Sequence, residues 1–211
     1  MSKIRVRQHV NPLSDRYQAP IKIPDWSLIY ADTTLPLHLD IGCARGRFLY
    51  QISQLQTQIN FLGLEIREPL VDEANSWRDE LGLKNLHYLF ANANNSLGEI
   101  LASLPRGVLQ RVTIQFPDPW FKKRHYKRRM VKSELVTEIA NYLVSGGEVF
   151  IQSDVLEVAT EMRDRFAAVE GFISQNEGKW LEENPFFIPT EREIATRAKK
   201  EPVYRILFVK S

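Results

Sequence analysis

One stretch of this 211-residue chain sets a single acid against a block of base. In FPDPWFKKRHYKRRM, Phe116 to Met130, Asp118 lies between Pro117 and Pro119. Lys122, Lys123, Arg124, Lys127, Arg128 and Arg129 follow within a few residues, with His125 and Tyr126 among them. Proline fixes its own φ at about −65° and biases the residue before it away from helix. The sequence therefore predicts a stiff, extended backbone on both sides of Asp118. A carboxylate held in that way suits a reacting centre, where preorganisation matters; a rigid turn is the plainer alternative. The cations suit the phosphates of a polyanion, whose neutralisation makes binding salt dependent. A solvated charged loop or a localisation-type tag would use the same residues. Trp120 and Phe121 could anchor the segment in a core or stack on a base.

A second constellation lies earlier. Asp40-Ile41-Gly42-Cys43-Ala44-Arg45-Gly46 reads as the end of an apolar strand passing through a tight turn into a helix. Gly42 and Gly46 would let a ligand approach the backbone and meet the helix N-terminus. A nicotinamide fingerprint requires G-x-G-x-x-G, and from Gly42 that frame gives Ala44 and Arg47, so it fails. G-x-A-x-G fits the looser turn of S-adenosylmethionine-dependent methyltransferases better. Glu65 ends the next strand, where a carboxylate could accept both ribose hydroxyls of a nucleoside. Asn92 follows the third strand and could accept and donate at an adenine edge, or simply form a turn.

These residues need a scaffold, and the hydrophobic pattern supplies one. Leu37–Ile41, Phe61–Ile66, Leu86–Phe90, Gln110–Phe116, Glu148–Gln152 and Val203–Lys210 read as short strands. Between them, Arg47–Gln56, the stripe Leu70, Val71, Ala74, Trp77 and Leu81, residues 96–104, the stripe Leu135 to Leu143 and the stripe Val155 to Phe166 read as helices. Ser133 is placed to cap the fourth of these. Such alternation predicts a mostly parallel sheet with helices on both faces, and ligands beyond the carboxyl ends of its strands. Residues 1–36 are punctuated by proline and read as a basic N-terminal arm, leaving 37–211 as the domain.

The totals bound the possibilities. A chain that is 44% hydrophobic can bury one sizeable core. Its 28 Lys and Arg nearly balance 26 Asp and Glu, for a net charge of +2. Residues 122–132 nonetheless carry seven of those cations and no acid, a local site for a polyanion rather than a uniformly basic protein. Cys43 is the sole cysteine, so no intrachain disulfide forms, and four scattered histidines give no metal-ligand spacing. The N-terminus lacks the roughly 7–15-residue apolar core of a secretory signal, and no apolar run approaches the roughly 20 residues of a membrane span. The expectation is a cytoplasmic protein without a metal, not bound to a membrane, and monomeric or weakly homodimeric.

The chain resembles the bacterial tRNA (guanine-N7-)-methyltransferase family. The motifs are RVRQHVNPLS (5–14), LDIGCARGRF (39–48), GLEIR (63–67), ANAN (91–94), FPDPWFKKRHYKRR (116–129), QSD (152–154) and TEREIA (190–195). The resemblance implies a class I S-adenosylmethionine-dependent methyltransferase fold: a Rossmann-like, mostly parallel seven-stranded sheet with one antiparallel strand. It implies methyl transfer from S-adenosyl-L-methionine to N7 of a guanine in the tRNA variable loop; action on another RNA, or an RNA-binding scaffold, are the alternatives. Asp40, Gly42, Gly46, Glu65, Asn92 and Asp118 then match cofactor positions, and Asp118 also the catalytic one. Lys122, Asp154 and the segment from Thr190 to Glu193 match substrate positions. Lys123, Arg124, Lys127, Arg128 and Arg129, with Lys3, Arg5 and Arg7 of the arm, would hold the tRNA backbone. Ala44 replaces the middle glycine of the commoner turn, and Asn92 stands where some relatives carry Asp. T-E-R-E at Thr190 is also a helix capping box, and Asp154 could cap the helix after it.

Overall fold

The computed structural model describes Val6 and residues 9–211. The arm cations Lys3, Arg5 and Arg7 lie outside the described residues. Seven strands form one sheet: β1 (Leu37–Ile41), β2 (Asn60–Glu65), β3 (Leu86–Phe90), β4 (Leu109–Gln115), β5 (Glu148–Ser153), β6 (Phe172–Ser174) and β7 (Tyr204–Lys210). Their order is β3-β2-β1-β4-β5-β7-β6. The first five run parallel, and β7 runs antiparallel to both β5 and β6. β1 and β2 are buried at every position, as parallel strands covered on both faces must be.

Chain direction through the sheet decides where a ligand can sit. From β1 the chain steps outward through β2 to β3, then returns to the other side of β1 as β4. The C-terminal ends of β1 and β4 therefore open a crevice between diverging connections, the usual ligand position in such sheets. Asp40 pairs in register with Thr113 there, which brings the glycine turn beside the Pro117-Asp118-Pro119 loop.

Helices cover both faces. α1 (Trp26–Ile29), α4 (Ala93–Ala102), α5 (Ser133–Tyr142) and α6 (Leu156–Ala167) bury their apolar stripes in one cluster with the sheet. α2 (Arg47–Leu55) and α3 (Glu68–Glu80) enclose the other, around Phe48, Ile52, Phe61 and Tyr88. α7 (Glu191–Ala198) precedes β7. No helix among the described residues is long and apolar enough to cross a membrane.

Several expectations shift. The helix expected at 96–104 begins at Ala93, so Asn92 is its N-cap residue. Lys132, not Ser133, is the N-cap of α5, and Ser133 is its first helical residue. β6, three residues long, was not expected, because so short a strand carries no period.

The arm also reaches the core. Trp26 and Tyr30 are buried and stacked at 5.9 Å. The Trp26 indole N–H donates to the Ser103 hydroxyl at 2.9 Å, and the Tyr30 hydroxyl to the Phe61 carbonyl at 3.1 Å. Replacing Trp26 by Ala removes an aromatic side chain from this seam and leaves a cavity. Urea unfolding should show a loss of about 3–5 kcal/mol; a loss under about 1 kcal/mol would mean that the arm does not belong to the core.

Candidate active site

The turn after β1 is left-handed three times over, at Gly42 (φ 80°), Ala44 (φ 52°) and Gly46 (φ 71°). Gly46 is required for a second reason. A Cβ there would come within 2.3 Å of the Tyr88 ring, whose hydroxyl donates to the Gly46 carbonyl at 2.6 Å. Ala44 carries a Cβ where glycine would be unstrained, at a cost of about 1–2 kcal/mol. Its amide donates to Glu65 Oε2 at 2.9 Å, which holds the turn against the end of β2.

Asp40 and Glu65 are both buried at the floor of this cleft, yet their surroundings differ. Asp40 accepts from the Thr113 hydroxyl at 2.6 Å and the Gln115 amide at 3.5 Å. Burial outweighs these bonds and raises its pKa to about 6. Glu65 accepts from the amides of Ala44 and Arg67 and from Nε and one terminal nitrogen of the Arg67 guanidinium. Its roughly four lone-pair sites are thus engaged, a crowding that the position of Glu65 at a strand end did not suggest.

Asp118 lines the same cleft, a space of about 500 Å3. Its carboxylate is 42% exposed and pairs with Nδ1 of His9 at 2.8 Å. Burial disfavours the charge on Arg67, but the carboxylate of Glu65 and, less strongly, that of Asp118 more than offset it and raise the guanidinium's pKa. The backbone is stiffer than the prolines alone require. Phe116 (φ 50°) and Trp120 (φ 44°) are both left-handed, where the sequence predicts extended chain before Pro117. Non-glycine residues there cost about 1–3 kcal/mol each and persist only where their surroundings over-determine them. The Phe116 amide donates to the Gln152 carbonyl at 2.8 Å, which ties the start of the loop to β5.

The basic run divides in two. Lys123–Arg128 forms a 3-10 helix, and Lys122, Lys123, Arg124 and Lys127 are exposed along it. Arg128 lines the cleft with its guanidinium 5.0 Å from the centre of the Trp120 ring. Arg129 does not belong with them. It is buried, ion-paired to Glu157 and Glu161, and donates to the Pro119 carbonyl at 2.9 Å. A guanidinium committed inward to two carboxylates is not presented to a phosphate.

On the far side, Asp154, Thr190, Glu191 and Arg192 line the cleft. Asp154 pairs with Arg192 and does not cap the helix after it, whose N-cap is Val155. Thr190 caps α7, accepting from the Glu193 amide at 3.1 Å. Glu193 departs from expectation: it is fully buried, ion-paired to Arg205 at 2.7 Å and bonded to Gln152 and Asn184. It anchors α7 to the sheet, and its carboxylate does not face the cleft. Asn92 lines the cleft, but its amide donates to the carbonyls of Pro12 (3.0 Å) and Tyr17 (3.1 Å), so those donors serve the arm and not a base edge.

Sequence reasoning missed His9 and Arg67 as members of the site, whereas Arg192 falls in the segment matched to substrate positions. His9 and Arg67 fall inside motifs quoted above, but nothing in their spacing tells that one reaches Asp118 and the other Glu65.

Comparison with known proteins now gives the geometry a family. A model described as "Putative methyltransferase" matches residues 34–206. The tRNA (guanine-N(7)-)-methyltransferase of Trichormus variabilis is 62% identical over 205 residues, 97% of this chain and 95% of that one. The enzyme of the same name from a Nostoc species is 61% identical over 208 residues, 99% and 95% of the two chains. Among solved structures, the 16S rRNA methyltransferase KamB superposes with a TM-score of 0.61 at 16% identity, over 90% of this chain and 96% of that one, a likeness of fold. With the class I sheet order and the glycine turn in place, the chain belongs to the tRNA (guanine-N7-)-methyltransferase family.

Proposed function

We propose that this protein transfers a methyl group from S-adenosyl-L-methionine to N7 of a guanine in the tRNA variable loop, in the cytoplasm. One observation carries the reading. A strained, preorganised carboxylate, Asp118, shares a single cleft with the glycine turn and the buried acids Asp40 and Glu65, and a strip of exposed cations begins four residues beyond it. The floor fits the donor: two carboxylates suit a cationic nucleoside bearing hydroxyls, and the turn at Gly46 has no side chain to obstruct it. Arg67 donates to both oxygens of Glu65, so ribose hydroxyls would share that carboxylate with the guanidinium.

When bound, the donor supplies a methyl group on a positively charged sulfur. The remaining work belongs to the chain. N7 of guanine has a free lone pair and no proton to lose, so no general base is needed there. Positive charge moves onto the purine, and a fixed carboxylate beside it lowers the energy of that change. Asp118 takes this role, and once the guanine arrives His9 must give up its bond to that carboxylate. Asp154 and Thr190 line the cleft and would meet the base, while Lys122, exposed with Lys123, Arg124 and Lys127, would join them on the phosphates. Phosphate contacts position, and base contacts specify. Swinging the guanine out of its tertiary pairing would cost a few kcal/mol.

Labelled donor and unmodified tRNA, followed by mapping of the product, test the reaction itself. 7-Methylguanosine should appear in the variable loop, and label elsewhere would overturn the assignment. In single-turnover assays Asp118→Asn should slow transfer about 100-fold or more while cofactor affinity changes little. An unchanged rate would remove Asp118 from the reaction.

The raised pKa of Asp40 offers a way to ask which of its forms binds the cofactor. The folded protein protonates Asp40 below about 6, the unfolded chain only near 3.8. Ionising this buried acid therefore costs folding stability, a cost absent below the unfolded value and fully present above about 6. If the ionised form binds the donor, affinity should weaken by up to about tenfold per pH unit below that point. Calorimetric titration from neutral to acid pH reads this directly, and Asp40→Asn should flatten the profile. A wild-type profile that is already flat would dismiss ionised Asp40 as a ligand.

The exposed strip makes a separate prediction. Replacing Lys123, Arg124 and Lys127 together by Ala should weaken tRNA binding and lower the slope of log K against log salt by roughly 2–3. An undiminished slope would take the strip out of the interface.

A further inference from the structure

Arg129 is the one cation of the basic run that turns inward, and its contacts converge on the loop bearing Asp118. Nε donates to the Pro119 carbonyl at 2.9 Å, one residue beyond Asp118. One terminal nitrogen donates to Glu157 Oε1 at 2.8 Å, and the other to Glu161 Oε2. Both acids stand on α6, one turn apart, so the guanidinium is anchored to a regular element of the core. Its carbon lies 3.8 Å from the centre of the Tyr126 ring, which closes its other side. A small space beside the loop is lined by Pro117, Asp118, Arg129, Met130, Val158 and Glu161, so the anchor and the acid border the same void.

We propose that Arg129 is a positioning residue for methyl transfer: braced on Glu157 and Glu161, it fixes Pro119 and thereby aims Asp118. This rests on the reading of Asp118 as the carboxylate at the reacting centre. Phe116 and Trp120, left-handed on either side of the loop, need an external hold, and the Phe116 amide supplies one at the near end only. Arg129 supplies it at the far end. Arginine suits the task because its planar fork can serve a carbonyl and two carboxylates at once, which a lysine ammonium cannot do with fixed geometry. The bond spans ten residues and closes a loop that contains Lys122, Lys123, Arg124 and Lys127. The cations that would grip phosphates therefore lie in one closed loop that begins one residue beyond Asp118.

The test uses the full chain with tRNA and donor at saturation. Arg129→Met should lower the single-turnover rate about 30- to 100-fold, the scale of a misplacement of about 1 Å. Dissociation constants for tRNA and for cofactor should change less than about threefold, and the salt slope of tRNA binding should stay as in the wild type. Arg129→Lys should fall between the two. Combining Arg129→Met with Asp118→Asn should be no slower than Asp118→Asn alone, because one residue acts through the other; a general loss of structure would instead multiply the two effects. If Arg129→Met does not fold, Glu161→Gln weakens the brace and keeps the arginine, and should cost several-fold in rate at an unchanged melting temperature. An unchanged rate in the folded variants overturns the proposal, as does a salt slope lowered by about 1, which would make Arg129 a phosphate contact. If Asp118→Asn itself leaves the rate unchanged, the reading of the reacting centre fails; if only the Arg129 variants are unaffected, this inference fails alone.

Discussion

A peptide chain that turns left-handed at Phe116 and again at Trp120 will not stay so unaided, and much of the cleft is organised around holding it there. The near end is tied to β5 by a main-chain bond, and the far end is reached by a guanidinium rooted in α6. Two prolines remove the backbone freedom in between. Asp118 is presented as a result at a fixed point in the crevice between β1 and β4, and the sheet order determines what else meets it there.

A second form of order runs beneath the cleft, across one face of the sheet. Arg205 holds Glu193 and Gln152, Gln152 donates to Gln115, Gln115 reaches Asp40, Asp40 accepts from Thr113, and Thr113 meets the ring of His38. Polar groups at this depth are costly unless each finds its partner. Nδ1 of His38 has none, and burial drives the ring's pKa well below its ordinary value, so it stays neutral. The network joins the helix that carries Thr190 to the acid under the glycine turn, so both sides of the cleft rest on the same buried foundation.

Strands of five or more residues carried enough apolar side chains to be plain in the sequence, and the sheet class followed from their alternation with helical stripes. It also made plain the elements whose chemistry depends on local order: the glycine turn, the proline-bound acid, the block of base. Three residues of β6 held no detectable period, and a four-residue helix in the arm escaped for the same reason. Side-chain direction was the other blind spot. Arg129 and Glu193 sit in their motifs like their neighbours, yet both point into the protein, because partners 28 or more residues away for one and 12 for the other meet them there. Such long-range pairing is a property of the fold, and no local pattern encodes it. The left-handed Phe116 was hidden likewise, since its support comes from a different strand.

The clasp on the arm has a consequence of its own. Asn92 and Asn95 seize the segment through the carbonyls of Pro12 and Tyr17, groups that every amino acid possesses. A grip on backbone oxygen follows the path of a segment and is blind to its spelling. Arg16, paired with Glu68 at 2.8 Å, adds a side-chain hold; Leu13, Ser14 and Asp15 can change while the carbonyl clasp keeps the arm in place, leaving that stretch open to adaptation toward whatever approaches from outside.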